Sequence, residues 1–99
     1  KWIRESVSNY SWAWSLYHEL LVEFRKRRGK HHKSGELIGH LAHTPRDINR
    51  IGLTSFAQAM PDEYKQDDPV EAYRAYYKGD KASFAKWDWP SSQTPYWWE

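Results

Sequence analysis

Apolar and aromatic side chains recur along residues 7–28 at the spacing of an α-helix. The positions, three or four apart, are Val7, Tyr10, Trp14, Tyr17, Leu21 and Phe24, and Ala13, Leu16 and Leu20 widen the stripe. This periodicity predicts one apolar face on a long N-terminal helix. Either Ser6 or Ser8 is the expected N-cap, and Gly29 is the expected residue after the last turn.

Aromatic rings supply most of the bulk from which a core can be built. Seven Trp, seven Tyr and three Phe outnumber the thirteen Ile, Leu and Val residues. A chain with so few aliphatic side chains must use its rings as core material. Because 99 residues suffice for one small core, we expect a single helical domain over residues 1–99 with an aromatic-rich core.

Start and stop signals outline four shorter helices after the first one. Two of these helices open with a capping side chain directly before proline, at Thr44-Pro45 and at Asp68-Pro69. The predicted ranges are about 34–42, 45–52, 69–78 and 81–87. Residues 52–67 show no period, which predicts irregular chain with at most one helical turn. No β alternation persists, so the fold class is all-α with about five helices and an irregular C-terminal tail.

Several classes of site are excluded or disfavoured by composition. The chain has no cysteine, which excludes disulfides, thiolate metal sites and cysteine nucleophiles. No apolar run approaches the roughly 18 residues of a membrane span, and no signal peptide is visible. We therefore expect an intracellular protein without a membrane partner and without a cofactor.

Positive charge is concentrated in the first half of the chain. Residues 1–50 carry ten Lys or Arg and five Asp or Glu, whereas residues 51–99 carry five and eight. The densest stretch is RKRRGKHHKS, residues 25–34, which is called the cationic segment below. Such an uneven distribution favours binding of anions such as phosphates at the positive region.

The cationic segment is the main candidate for a binding site. Its second half precedes the second predicted helix, whose first N–H groups would point outward beside Lys30 and Lys33 and could bind phosphate. The residues expected to contact nucleic acid or phosphate are Arg25, Arg28, Lys30, His31, His32, Lys33, Ser34 and Arg74. The alternative is a helix end whose cations only offset the helix dipole.

Arg74 belongs to a second polar and aromatic group. Together with Tyr64, Tyr73 and Tyr77 it could form a surface that stacks a base or nucleotide. In the alternative interpretation Arg74 pairs with Asp62 or Glu63 as a structural clamp. The nearby Phe56, Met60 and Tyr64 would then fill the core beneath residues 52–67.

Two carboxylates give a weak candidate for catalysis. Glu19 and Glu23 lie four residues apart and share a helix face beside basic residues. Helical DNA glycosylases need such a carboxylate to stabilise a ring-opened sugar, with a lysine or the N-terminal amine as nucleophile. The segment HELLVEFRKR is slightly similar to small viral pyrimidine-dimer glycosylases. A solvated ion pair between Glu23 and Arg27 explains the same residues.

Histidine clusters and the tail suggest two further kinds of contact. His40 and His43 are three apart, which suits two metal ligands, but no acid at a suitable spacing completes the set, so we predict no metal site. Trp87, Trp89 and the Trp97-Trp98 pair could stack bases or hold a partner protein. Most of these rings are expected to be buried, with one or two exposed.

Five elements in order resemble a family of small proteins encoded by tailed phages and some large DNA viruses. They are Trp2 with SVSNYSWAW, GKHHKS, TSFAQAMPDEYK, AYRAYYKGDK and the closing PYWW. The resemblance spans essentially the whole chain and implies a viral or marine-metagenomic origin. It also implies a role in the cytoplasm of an infected host cell, and it transfers no activity and no catalytic residue. SQTPYWWE departs from a basic stretch expected before the final tryptophans.

The function expected from these observations is that of a small viral accessory protein that binds nucleic acid or nucleotide phosphate. The binding region would be the basic junction between the first two helices. One alternative is an interaction module that occupies a host protein through the aromatic tail or residues 54–66. A second alternative is a glycosylase-like enzyme.

Overall fold

The chain folds into helices joined by irregular segments. The computed structural model describes residues 1–85, 87 and 94–98. Within these residues there are three α-helices and no strand: α1, Val7–Arg28; α2, Ile38–Leu41; and α3, Pro69–Lys78. Short 3-10 turns occupy Trp2–Arg4, Lys33–Leu37, Asp62–Tyr64 and Ala82–Phe84. The all-α fold class and the long first helix are confirmed, and the number of about five helices is wrong.

The chain divides into two compact units, Lys1–Ser55 and Phe56–Glu99. The first unit contains α1 and α2, and the second contains α3. A single domain over residues 1–99 stays a prediction.

Local signals at both ends of α1 explain its bounds. Ser6 adopts an extended conformation, and its side chain accepts a hydrogen bond of 2.9 Å from the N–H of Asn9. Gly29 has φ +68°, the left-handed conformation that ends many helices, and its N–H donates to the carbonyl of Arg25. Of the two serines proposed as N-cap, Ser6 is therefore the correct one.

The packed face of α1 holds the segment that follows it. The hydroxyls of Tyr10 and Tyr17 donate to the carbonyls of Leu41 and Ser34. Tyr17 lies seven residues after Tyr10, whereas its partner Ser34 lies seven residues before Leu41, the partner of Tyr10. Residues 34–41 therefore run antiparallel to α1. The predicted stripe therefore does lie at an interface, to which two tyrosine hydroxyls contribute hydrogen bonds.

Two leucines predicted to widen that stripe are exposed. Leu16 is 45% exposed and Leu20 is 59% exposed. In an α-helix they lie about 100° and about 60° round the axis from Tyr17, on the same side. The packed face of α1 is therefore narrower than the sequence pattern indicated.

A buried polar network fixes the first turn of α1. Ser6 and Asn9 are fully buried. The amide nitrogen of Asn9 donates to the carbonyl of Trp2 and to the hydroxyl of Thr54, both at 2.8 Å, and its amide oxygen accepts from the N–H of Thr54 at 3.0 Å. The Thr54 hydroxyl in turn donates to Glu5 at 2.9 Å. This network joins residues 2–9 to residues near 54.

The helix predicted over 45–52 does not form. Residues 46–48 make a turn, and the carbonyl of Asn49 accepts a 2.8 Å hydrogen bond from the N–H of Val7. This contact with the start of α1 replaces the local bonds that a helix would need. The helix predicted over 34–42 is split into a 3-10 turn and the single turn of α2.

In the second unit, α3 begins and ends where the sequence predicted. The Asp68 carboxylate accepts from the N–H of Val70 at 2.9 Å, and Gly79 follows the last residue. The Tyr73 hydroxyl donates to the carbonyl of Ala57 at 2.8 Å and accepts from the N–H of Ala59 at 3.1 Å. A side chain of α3 therefore supplies hydrogen bonds to the irregular chain before it.

In the last predicted helix, 81–87, the described residues form only the 3-10 turn at Ala82–Phe84, and residue 86 lies outside the described residues. The described residues of the tail contain no helix. Fully buried side chains in the described part of the chain are Ser6, Asn9 and Ala72. Rings pack against one another while keeping part of their surface exposed, since units of this size cannot enclose many large side chains.

Candidate functional site: the cationic segment

The first half of the cationic segment is the last turn of α1. Arg25, Lys26, Arg27 and Arg28 all lie in that turn, where cations offset the negative end of the helix dipole. The guanidinium of Arg25 donates to the carbonyl of Gly29. One of the predicted phosphate ligands therefore also caps the helix that carries it.

The second half of the segment forms a turn around His32. Its ring nitrogen Nδ1 accepts a 3.0 Å hydrogen bond from the N–H of Ser34 and lies 2.8 Å from the Ser34 hydroxyl. The edge of the His32 ring meets Phe24, with ring centroids 4.8 Å apart. The segment is therefore ordered by contacts with α1 and by its own side chains.

The amides expected to bind phosphate are already used. The N–H of Ser34 donates to His32 Nδ1, and the N–H of Gly35 donates to the His32 carbonyl at 3.0 Å. The prediction that these groups point outward from a helix start is wrong, because His32 rather than Ser34 is the N-cap. Any phosphate bound here would be held by side chains.

The side chains of the segment are largely exposed and rich in positive charge. Arg25, Lys26, Arg28, Lys30, His31, His32 and Lys33 are exposed. Arg27 of the segment forms an ion pair with Glu23 at 2.8 Å. Arg25, Lys26, Lys30 and Lys33 have no such carboxylate partner among the described residues. The segment thus presents several charges that a polyanion could neutralise.

Arg74, the remaining predicted phosphate ligand, lies in the second unit. Its guanidinium is 3.4 Å from the carboxylate of Glu71 and 3.2 Å from the Tyr96 hydroxyl. It also lies 5.4 Å from the ring centroids of both Tyr96 and Trp97. Arg74 is therefore engaged by the tail of its own unit.

The predicted clamp between Arg74 and Asp62 or Glu63 is wrong. Asp62 instead pairs with Lys65 at 2.9 Å, and Glu71 takes its place beside Arg74. The hydrogen bond from Lys65, followed by its charge, lowers the pKa of the Asp62 carboxyl. Both pairs join residues three apart, so local spacing determines the partners.

The tyrosines of the second unit cluster, and Tyr76 lies among them. Tyr64 contacts Tyr76, with ring centroids 5.4 Å apart, and Tyr77 contacts both Tyr73 and Tyr76. The Tyr64 hydroxyl donates to Asp80 at 3.0 Å, and this hydrogen bond is the main cause of its raised pKa. An added Cβ on Gly79 would collide with the Tyr64 ring, which explains glycine there.

Glu19 and Glu23, the weak catalytic candidates, lie on the outer side of α1. The Glu19 side chain is 77% exposed, with its carboxylate 4.0 Å from His18, and Glu23 is held by Arg27. A polar cleft does exist in this unit, but Lys1, Arg4, Glu5, Asp47 and Ile48 line it. The structure therefore brings neither glutamate to that cleft.

The histidines are dispersed among different roles. His40 lies in α2 and His43 lies beyond it, with its N–H 3.4 Å from the His40 carbonyl. In the described ranges no group of three or more His, Asp or Glu side chains could hold a metal ion. His18 stacks on Trp14, with ring centroids 5.4 Å apart.

Tail rings pack on one another where the structure describes them. Trp98 contacts both Trp87 and Trp97, with ring centroids 5.4 Å and 5.8 Å apart, and all three are partly buried. Tyr96 is 85% exposed. Trp89 lies outside the described residues.

Sequence reasoning missed the most constrained residue of the first unit, Asn9, and the capping role of His32. An asparagine inside a helical stripe carries no signal of burial. The His32-x-Ser34 spacing could have suggested a capping turn, because a side-chain acceptor two residues before an N–H is a common cap geometry.

No family model, no curated protein and no solved structure matches this chain. The resemblance to a viral family therefore stays a prediction. None of the helices formed by the described residues has the length and apolar character needed to cross a membrane.

Proposed function

We propose that this chain binds nucleic acid or nucleotide phosphate through the side chains of the cationic segment. The observation that carries the proposal is a set of four exposed cations, Arg25, Lys26, Lys30 and Lys33, that have no carboxylate partner among the described residues. Charge distribution supports it: residues 1–55 carry ten Lys or Arg and five Asp or Glu. Lysine and arginine side chains at this density neutralise phosphates and release counterions.

The geometry favours a flexible contact with a phosphate backbone over a fitted nucleotide pocket. Local backbone N–H groups at Ser34 and Gly35 are occupied, so binding depends on long, exposed side chains. Such contacts position a polyanion without reading its sequence. A viral accessory role, in the cytoplasm of an infected cell, would fit a protein of this size and remains part of the proposal.

A salt titration of oligonucleotide binding tests the proposal. Labelled single-stranded DNA, duplex DNA and single-stranded RNA would be titrated with the chain at low salt, and inorganic triphosphate would serve as the small-anion probe. If about four phosphates are contacted, the logarithm of affinity should fall with the logarithm of salt at a slope of about −3 to −4. Absence of binding to every probe at low salt would disprove the proposal.

Neutralising variants locate the binding region. Arg25, Arg28, Lys30 and Lys33 would be changed together to Gln, which keeps a hydrogen-bond donor at the end of α1 and avoids adding negative charge there. The matched control changes the same number of cations elsewhere in the unit: Lys1, Arg4, Arg46 and Arg50 to Gln. The first variant should lose most of its affinity and salt dependence, and the control should lose less of both.

A second candidate function is binding of a protein partner through exposed rings of the second unit. The observation that favours it is the exposure of Phe84, 73%, and of Tyr96, 85%. Large aromatic side chains are the usual anchors of protein interfaces. Changing Phe84 and Tyr96 together to Ser should abolish capture of a host protein by the intact chain, and unchanged capture would rule out these anchors.

A further inference from the structure

His32 is held in a geometry that suits only one of its protonation states. Its Nδ1 accepts the N–H of Ser34 at 3.0 Å, so this nitrogen carries no proton and the neutral ring is protonated at Nε2. The Ser34 hydroxyl, 2.8 Å from the same nitrogen, must then also act as a donor. Two donors therefore share one acceptor.

Ser34 connects this cap to the long helix. Its N–H binds His32, and its carbonyl accepts from the Tyr17 hydroxyl on α1. The His32 ring itself rests edge-on against Phe24 of α1. Loss of the His32 hydrogen bond would therefore alter the contact between the 3-10 turn Lys33–Leu37 and α1.

We propose that protonation of His32 is a conformational switch that releases the N–H of Ser34 and regulates the cationic segment. A proton on Nδ1 turns this nitrogen into a donor, so it can no longer accept from the Ser34 N–H. The Ser34 hydroxyl can rotate and accept from the protonated ring, which reverses the direction of that hydrogen bond. The hydrogen bond from the Ser34 N–H to Nδ1 is lost, and one from Nδ1–H to the Ser34 hydroxyl is formed. The imidazole ring then carries a positive charge.

The charged surroundings decide what this switch does for binding. Arg25 and Arg28 lie in the last turn of α1, Lys30, His31 and Lys33 are close to His32 along the chain, and Glu36 lies in the first turn after it. Phe24, the packed neighbour, has no charge. Protonation of His32 therefore adds a positive charge to a mostly cationic segment. A bound phosphate would offset this charge and so favour the protonated ring.

The regulatory part of this inference rests on the proposed function, whereas the hydrogen-bond exchange does not. By linkage, a polyanion that neutralises the segment favours the protonated ring, and protonation in turn tightens polyanion binding. Binding should therefore strengthen as pH falls across the range in which histidine takes up a proton.

Nuclear magnetic resonance of the full chain without ligand tests the exchange. Between about pH 8 and about pH 5, where histidine side chains change charge, the Ser34 amide proton should shift upfield and exchange faster with solvent. In His32→Asn the side-chain oxygen can replace Nδ1 as acceptor and cannot take up a proton. That variant should keep the Ser34 amide in its high-pH position throughout.

Two more variants complete the design. His32→Gln places its amide oxygen farther along the side chain, so the Ser34 amide should show the released position at every pH. His31→Asn removes the neighbouring exposed histidine and should leave the wild-type shift intact. An unmoved Ser34 amide in the wild-type chain, or an equal shift in His32→Asn, would overturn the switch.

Oligonucleotide titrations at the same two pH values separate this inference from the proposed function. The gain in affinity on acidification should be smaller in His32→Asn than in the wild-type chain. If the Ser34 amide moves but no probe binds at either pH, the proposed function fails and the exchange stands. If probes bind and the amide does not move, the function stands and the switch fails.

Discussion

The two ends of α1 are built in opposite ways. At the first turn, buried Ser6 and Asn9 satisfy backbone groups of neighbouring segments and leave little polar surface unused. At the last turn, Arg25 to Arg28 are concentrated around a glycine, and most of their side chains are exposed. Hydrogen bonds hold the first end in place, while the second end has charge available for a ligand.

This difference indicates that the start of α1 serves stability and that its end serves binding. A buried asparagine whose side chain makes three hydrogen bonds cannot be replaced by an apolar residue without losing all three. An exposed lysine or arginine can be replaced at small cost to folding. Substitutions should therefore affect stability mainly at the start of α1 and binding mainly at its end.

The largest effect is expected from Asn9→Ala. This change leaves the N–H of Thr54 without its acceptor and removes one of the two hydrogen bonds to the carbonyl of Trp2, beside a fully buried side chain. We expect a loss of about 3 kcal/mol in the free energy of unfolding, measured by urea denaturation. Asn49→Ala is the control, because the hydrogen bond that Asn49 makes to Val7 uses its backbone carbonyl, which alanine keeps. An equal loss in the free energy of unfolding for both variants would show that the Asn9 side chain does not stabilise the start of α1.

An intermediate effect is expected from Gly29→Ala. The φ of +68° at Gly29 disfavours any side chain, so alanine should cost about 1 kcal/mol in thermal or urea unfolding. Gly39→Ala is the matched control, since Gly39 lies in α2 with open space around its Cα. There alanine should stabilise by up to about 1 kcal/mol. A change of the same sign in the free energy of unfolding of both variants would contradict the geometry assigned to Gly29.

The smallest effect on folding is expected from Glu23→Gln. Its ion pair with Arg27 is partly exposed, so its loss should cost less than about 0.5 kcal/mol. The same change removes one negative charge beside the cationic segment and should tighten oligonucleotide binding about twofold. Glu19→Gln, about one helical turn farther from Gly29, should tighten it less. Weaker binding in Glu23→Gln would argue that phosphate does not approach this end of α1.

How much the sequence predicts depends on whether a signal is local. The bounds of α1 and α3 follow from Ser6, Gly29 and Asp68-Pro69, because each caps a helix through bonds within a few residues. Thr44-Pro45 carries a similar signal and fails, since the chain there is used to bind the N–H of Val7 through Asn49. That contact spans more than forty residues and leaves no local trace.

For the candidate site, the sequence predicts the charges but not their supporting contacts. The cations of residues 25–34 can be read directly, and their exposure agrees with the pattern. The capping role of His32 depends on a ring orientation that Phe24 helps to set. Arg74 was grouped with the cations by residue type, whereas its neighbours Glu71, Tyr96 and Trp97 are determined by packing.

Mapping a bound oligonucleotide onto the chain tests the contrast between the two ends most directly. Backbone amide shifts of the isotope-labelled protein would be followed while a short single-stranded DNA is added at low salt. We expect the amide signals of residues 25–34 to move and those of residues 5–9 and 49–55 to stay in place. Shifts concentrated at the start of α1, or within the second unit, would contradict it.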